Sequence, residues 1–321
     1  MSILRIARDK KFKMYALTAI LVAFIAVPSF GLASRHENLY VNAKASGMED
    51  GSREHPYAKI GSAIDKADSN AEIHVSKGEY EENITLKKGI KLFGEDADST
   101  IITAKKDKWA TVYMKDDSEI DDFSIKGGHE GIFIESHAQA NIISCSVRYN
   151  DGDGISIEGG DTKKANQVYI GKTEIRNNDR AGVFVSGPRR VVLMDSEILD
   201  NKTDGVDFAR GVVSYFAGNS MKNNGGSGLV VTLDGSDIWT KNNSFRDNSR
   251  EGIEVSSFGG AGRMNVAKAK FVGNHNYGVA RLQKGGTAIS IATWNKNLTF
   301  DNKAYFATNG LGNISNILRA N

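Results

Sequence analysis

Apolar residues recur along most of the chain in short alternating runs. One set is Val168/Ile170, Val191/Leu193, Ser214/Phe216, Ile238/Thr240 and Met264/Val266. A second, with one apolar residue per repeat, stands seven positions after the start of each first run: Ile175, Ile198, Met221, Phe245 and Phe271, with Val147 as an earlier member. A third set follows, Ile155/Ile157, Val183/Val185, Val206/Phe208, Leu229/Val231 and Ile253/Val255. Alternation at period two is the mark of strands whose every second residue points inward. The pattern predicts three short strands per repeat.

A glycine precedes each third strand: Gly154, Gly182, Gly205, Gly228, Gly252 and Gly278, at intervals (by subtraction) of 28, 23, 23, 24 and 26. An asparagine stands four residues before each: Asn150, Asn178, Asn201, Asn224, Asn248 and Asn274. Periods in this range signal a solenoid. Asn is the residue besides glycine that most readily accepts a left-handed backbone, so it is assigned the sharp turn between second and third strands. Stacked coils would set these amides in a ladder. Spacing within a repeat is constant from first to second and from second to third strand. All length variation falls in the connection back to the next first strand: 11 residues from Ile157 to Val168, 6 from Val185 to Val191, 6 from Phe208 to Ser214, 7 from Val231 to Ile238 and 9 from Val255 to Met264. Variable connections on one face of a solenoid commonly carry function.

Before the regular coils the composition changes. Ile60, Ala63, Ile64 and Ala67 lie at helical spacing in residues 56–68, which predicts a short helix closing the open end and covering an unpaired strand edge. Regular coils are expected over about 139–282, preceded by less regular ones. A degenerate closing coil and tail follow at 283–321, where Ile289/Ile291, Leu298 and Phe306 imitate the repeat. The fold class is all-β, a solenoid of about nine or ten coils and about 45 Å long at ~4.8 Å per coil.

The N-terminus reads as an export signal. Arg5, Arg8, Lys10, Lys11 and Lys13 precede an apolar stretch from Met14 to Val27, and Gly31-Leu32-Ala33 offers a small-x-small cleavage site. Residues 1–33 are thus a signal peptide, or an uncleaved anchor if the stretch spans a thinned bilayer. Residues 34–321 form one domain that is secreted, periplasmic or on the cell surface. A net charge of +2 excludes a nucleic-acid partner of the usual basic kind. The single Cys145 cannot form an internal disulfide, and it matches Thr173 and Ser196 at a small inward position. The histidines show no zinc spacing.

The run Tyr40-Val41 to Gly51-Ser52, then Pro56-Tyr57-Ala58-Lys59-Ile60, Ile73-His74-Val75 through Gly78-Glu79-Tyr80, Ile90-Lys91-Leu92-Phe93-Gly94 and the Asn-Gly coils, resembles the right-handed parallel β-helix, pectin lyase-like proteins. The resemblance covers roughly residues 39–310. It implies a right-handed parallel β-helix; for function it is loose, since members include polysaccharide lyases, glycoside hydrolases, epimerases, adhesins and proteins of no known activity. In the enzymes of this family the substrate groove usually follows the outer face of the first strand and its variable connection.

Outward positions of the first strands include Tyr169, Arg190, Tyr215, Trp239 and, beside them, Asp237, Lys241 and Arg263. Tyr169, Tyr215 and Trp239 share one column, with Arg189 and Arg190 nearby. Such aromatics can stack on sugar rings while Arg190 pairs a uronate, or they can simply cover the sheet. For β-elimination, Lys241 would be the base, Arg263 the stabiliser and Asp237 an orienting or metal-binding carboxylate. The cofactor this chemistry allows is calcium, although a calcium site wants several carboxylates and this face supplies one. A solvated charge cluster is the competing reading. Thr203-Asp204-Gly205-Val206-Asp207 looks like part of the Asn-Thr-Asp-Gly-x-Asp motif of β-helical polygalacturonases, whose first Asp is catalytic. Lys202 replaces its Asn, and Asp153-Gly154-Ile155 shows that the repeat itself writes Asp-Gly-aliphatic. Asp207 and Glu254 share an outward third-strand column two coils apart, a second candidate pair. Asn150-Asp151-Gly152-Asp153-Gly154 hints at calcium but lacks the ordered ligands of an EF-hand loop. The expected function is binding, with or without cleavage, of an acidic or neutral polysaccharide on the first-strand face. The alternative is a non-catalytic surface or adhesive rod.

Overall fold

The alternating runs fold as three parallel sheets that wind into a β-solenoid. The structure is a computed structural model describing residues 37–160, 166–258, 260, 262–283, 290–293, 299–301 and 304–308. The N-terminal segment 1–33, with its expected cleavage site, lies outside them, as do Ile289 and Leu298. First strands, among them Gln167–Gly171, Arg189–Met194, Val212–Ala217, Asp237–Lys241 and Arg263–Ala267, build an 11-stranded sheet A. Second strands such as Glu174–Arg176 and Glu197–Leu199 form the 10-stranded sheet B. Third strands such as Val183–Val185, Val206–Phe208 and Ile253–Ser257 form the 10-stranded sheet C. Adjacent coils pair in one register, so Val168, Val191, Ser214, Ile238 and Met264 stack inward in a single column.

The core is that stack. Phe208, Phe216, Phe245 and Phe271 are fully buried. Phe245 and Phe271 lie face to face, 5.1 Å between centroids. Each such side chain contributes about 1.5–3 kcal/mol on burial. At the N-terminal end a single described helix, Ile60–Lys66, buries Ile60, Ala63 and Ile64. It is shorter than the apolar spacing predicts, because Tyr57 is held by an isolated bridge to Val41 and cannot join it. The Glu82 carboxylate accepts the backbone N–H groups of Ile60 (2.8 Å) and Gly61 (2.9 Å), which closes the helix start. No helix among the described residues is long and apolar enough to cross a membrane.

The asparagines do form a ladder between sheets B and C. Nδ2 of each donates to Oδ1 of the next, at 2.8, 2.9, 3.1, 3.0 and 2.8 Å from Asn150 through Asn274. The expected left-handed backbone, however, belongs to the residue before each one: Tyr149, Asn177, Asp200, Asn223 and Asp247 have φ near +55° (56, 54, 56, 55 and 53). The reason is division of labour: the left-handed residue turns the chain outward so that the next amide can point into the core. The register glycines owe their place to crowding instead. A Cβ on Gly205 would stand 2.6 Å from the Gly228 carbonyl oxygen. A second, shorter ladder occupies the turn between sheets A and B. There Asn219 donates to Asn243 (3.2 Å), and the Ser196 and Thr173 hydroxyls continue the column to Cys145. Burial pushes the Cys145 thiol up to about 12, so it packs and does not react.

Candidate functional site

On sheet A the register places Tyr169, Val192, Tyr215, Trp239 and Asn265 in one outward column. Tyr215 and Trp239 are adjacent and exposed. Tyr169 is separated from them by Val192 and lies down along its own strand, since a Cβ on Gly171 would meet its hydroxyl and ring. Asp237 and Arg263 are paired side by side: Nε donates to Oδ1 at 3.0 Å and Nη2 to Oδ2 at 2.5 Å. The same guanidinium sits 5.4 Å from the Trp239 ring centroid. Lys241 is not beside them. It lies four residues along the strand, about 13 Å away, next to Ala217 and Ala267. Arg190 is exposed between Gln167 and Val213. Arg189 does not reach the face; it is buried and donates to the Ala138 carbonyl, and that burial lowers its pKa. An arginine locked to a carboxylate and to an indole is already neutralised, so the groups this face leaves open are the rings and, further along the strand, the exposed Lys241.

The perturbed acids lie on another face. Two columns run side by side along sheet C and the turn that enters it. The turn column carries Glu130, before Gly131, and then, one residue before each register glycine, Asp153, Ala181, Asp204, Ser227, Glu251 and Tyr277. The outward strand column reads Thr85, Tyr113, Phe133, Ser156, Phe184, Asp207, Val230 and Glu254. One end of this face is therefore aromatic and the other acidic. Tyr113 and Phe133 stack at 5.2 Å.

Most of the acids are tied down. Asp204 accepts the Ser227 N–H at 2.6 Å, and Asp153 accepts the Ala181 N–H at 3.0 Å. The Ser227 hydroxyl lies 3.2 Å from Glu251 and 3.1 Å from Glu254, and Arg250 reaches Glu254 at 2.9 Å. Asp207 has no such anchor among the described residues. Burial, then repulsion from Asp204, Asp153 and Glu254, raises its pKa from 3.8 to about 6. Burial raises Asp153, Asp204 and Glu254 as well, opposed by Arg180 at Asp153 and by Arg250 at the other two. A partly shielded carboxyl poised between its charge states near neutral pH can give or take a proton. Asp207 and Glu254 are two rungs apart, about 10 Å between backbones.

Five carboxylates, Asp153, Asp204, Asp207, Glu251 and Glu254, share this corner with two arginines, Arg180 and Arg250. The local field is negative. Among the described residues no three His, Cys, Asp or Glu side chains converge as a metal-holding group. The Asn150 to Gly154 turn is likewise spent on structure, Asn150 in the ladder and Asp153 on Ala181 and Arg180. The acids present do not fit calcium.

A column of in-register parallel strands with an asparagine ladder defines the class: a parallel β-helix repeat protein. The chain belongs to the right-handed β-helix family, whose model, described as the right handed beta helix region, matches residues 130–304. Among solved structures it is similar to an alginate lyase from Paenibacillus sp. str. FPU-7, with TM-score 0.59 and 13% identity over 85% of this chain and 99% of that one. Pectate lyase Pel9A gives TM-score 0.54 and 13% identity over 83% and 79%. The A-module of the Azotobacter vinelandii mannuronan C-5 epimerase AlgE6 gives 0.53 and 17% over 85% and 96%. At such identities the likeness is one of fold. No curated protein matches the chain in sequence.

Proposed function

We propose that this is an exported polysaccharide-processing β-helix that holds a glycan along sheet C and breaks a glycosidic bond there with Asp207 as the general acid. One observation carries the reading: the Asp207 carboxyl, raised to about 6 and without an anchoring partner, stands at the end of an outward aromatic row. The similar folds include proteins named for pectate, alginate and mannuronan, which supports a polysaccharide as the ligand class. Asp207 gives its proton to the glycosidic oxygen as that bond breaks. Water adds to the anomeric carbon, and its proton passes to Glu254. The two-rung separation, about 10 Å between backbones, is slightly beyond the ~6.5–9.5 Å between carboxyl groups of inverting hydrolases and leaves room for the water.

The negative field decides against a uronate at the point of cleavage. A substrate carboxylate there would meet five acids and two arginines that are already engaged, so a neutral or amino sugar fits. Elimination would need a cation beside the substrate carboxyl, and the sheet A trio of Asp237, Lys241 and Arg263 is not assembled to supply it. Tyr215 and Trp239 with Arg190 serve as an accessory binding surface.

A panel of neutral, amino-sugar and uronic-acid polysaccharides tests the reading by product. New reducing ends without absorbance from a conjugated double bond are expected, from a neutral or amino-sugar polymer. Unsaturated product from a uronan, lost in Lys241→Ala and retained in Asp207→Asn, would return the chemistry to sheet A. Binding without any cleavage would make the chain a non-catalytic glycan-binding rod.

A further inference from the structure

At the aromatic end of sheet C a cavity of about 260 Å³ opens beside Trp109, lined also by Thr85, Tyr113 and Lys106. It lies just under the ~300 Å³ lower end of ordinary ligand pockets, room for one sugar ring and not for a chain. Trp109 is 67% exposed, the most exposed large apolar side chain among the described residues, yet its backbone is fixed. Its carbonyl accepts the His129 N–H at 3.0 Å. The loop that carries it is clamped by Asn83, whose side chain accepts the Lys106 N–H (2.8 Å) and donates to the Lys106 (3.1 Å) and Ala110 (2.9 Å) carbonyls. A tryptophan held out into solvent by a buttressed loop is a contact surface looking for a ring. Tyr113 lines the cavity and belongs to the outward row that continues through Phe133, Ser156 and Phe184 to Asp207. The row spans four rungs, about 19 Å.

The charge at the cavity end is mixed: the Tyr113 hydroxyl donates to Glu135 at 3.3 Å, while the loop over the cavity is basic. The cavity loop Lys105-Lys106-Asp107-Lys108 carries an excess of two positive charges, and none of its lysines is ion-paired among the described residues. The far end carries the acid cluster. A ligand that lies along the whole row meets Lys106 at one end and the acid cluster at the other.

We propose that the cavity beside Trp109 is the terminal subsite of the sheet C row, where one sugar ring stacks on Trp109 and Tyr113 and its anionic substituent pairs with Lys106. This rests on the reading of sheet C as the glycan-binding face. The substrate is then a heteropolysaccharide: an acidic sugar occupies the cavity, while a neutral or amino sugar lies about four rungs away at Asp207.

The test uses the full chain carrying Asp207→Asn, so that ligand is not consumed. Calorimetry measures binding of oligosaccharides that contain one uronate among neutral sugars, and of the same compounds with that carboxyl reduced to an alcohol. Trp109→Ala is expected to weaken both at least tenfold. Lys106→Gln is expected to weaken the acidic compound about fivefold, leave the reduced one unchanged and lessen the salt dependence of binding. Both side chains are exposed, and unchanged melting curves confirm that the variants fold. Binding unchanged by Trp109→Ala overturns the subsite, as does the lack of saturable binding to any compound. An acidic preference that survives Lys106→Gln overturns the charge pairing. Cleavage retained by Asp207→Asn, alongside binding lost in Trp109→Ala, would sink the catalytic reading and leave the subsite standing.

Discussion

Replacing Asp207 by Asn should stabilise the protein near neutral pH while removing its activity. The folded carboxyl titrates at about 6 against 3.8 for an ordinary aspartate. Between those values the folded state binds more protons than the unfolded one, so stability falls as pH rises through the window. Above about pH 6 the full cost of a charged, partly buried carboxylate is present. Below about pH 3.8 both states are protonated and that cost vanishes. At 1.36 kcal/mol per pH unit, the gap between 3.8 and about 6 amounts to about 3 kcal/mol. Because the group keeps some contact with solvent, a gain of about 1–3 kcal/mol is expected for the neutral amide at pH 7.5. At pH 3.5 the gain should be close to zero. Urea unfolding of both proteins at pH 3.5, 5.5 and 7.5 measures the difference, with equal m-values required so that midpoints report stability. A variant no more stable than the parent at pH 7.5, or a gain that does not grow with pH, would refute the account of Asp207.

Three further outcomes follow from the geometry. Asn201→Ala removes two donated bonds, to Asn224 and to the Ile175 carbonyl, and two accepted from Asn178, so chemical denaturation should show a loss of about 3–4 kcal/mol. Gly205→Ala drives a methyl against the Gly228 carbonyl and should cost about 1–3 kcal/mol by the same measurement. The double variant Tyr215→Ala/Trp239→Ala should weaken retention on a polysaccharide column severalfold without lowering turnover of a short soluble substrate; a fall in turnover would place the chemistry on sheet A.

The solenoid was legible because each coil repeats one physical demand. Inward alternation, an amide that must meet the amide above it and a glycine that must admit a carbonyl recur at fixed spacing, and Asn150 to Asn274 show the first two directly. The site was legible only in pieces. Constant spacing pointed to the variable connection before sheet A, and Tyr215 and Trp239 do stand exposed there. Yet Asp237 and Arg263 cancel each other, and Lys241 shares their strand but not their neighbourhood. The Asp204-Gly205 motif carries no signal of its own, since the repeat itself writes Asp-Gly. The shared column of Asp207 and Glu254 is readable from the repeat; what the repeat does not show is that the column beside it carries Asp153, Asp204 and Glu251, so that like charges meet across two adjacent columns and repel. Tyr113, Phe133 and Phe184 form a column that becomes visible only when the irregular early coils are set in register with the regular ones. Burial, which lifts Asp207, has no signature in a single sequence.

The most direct test of the account compares initial rates of glycosidic cleavage for the parent, Asp207→Asn and Asp237→Asn on whichever polymer is cleaved at a neutral or amino sugar. Loss of a positioned general acid costs about 10²–10⁴-fold, so Asp207→Asn should fall by at least 10²-fold while Asp237→Asn stays within a few-fold of the parent. Cleavage that survives Asp207→Asn and collapses in Asp237→Asn would contradict it.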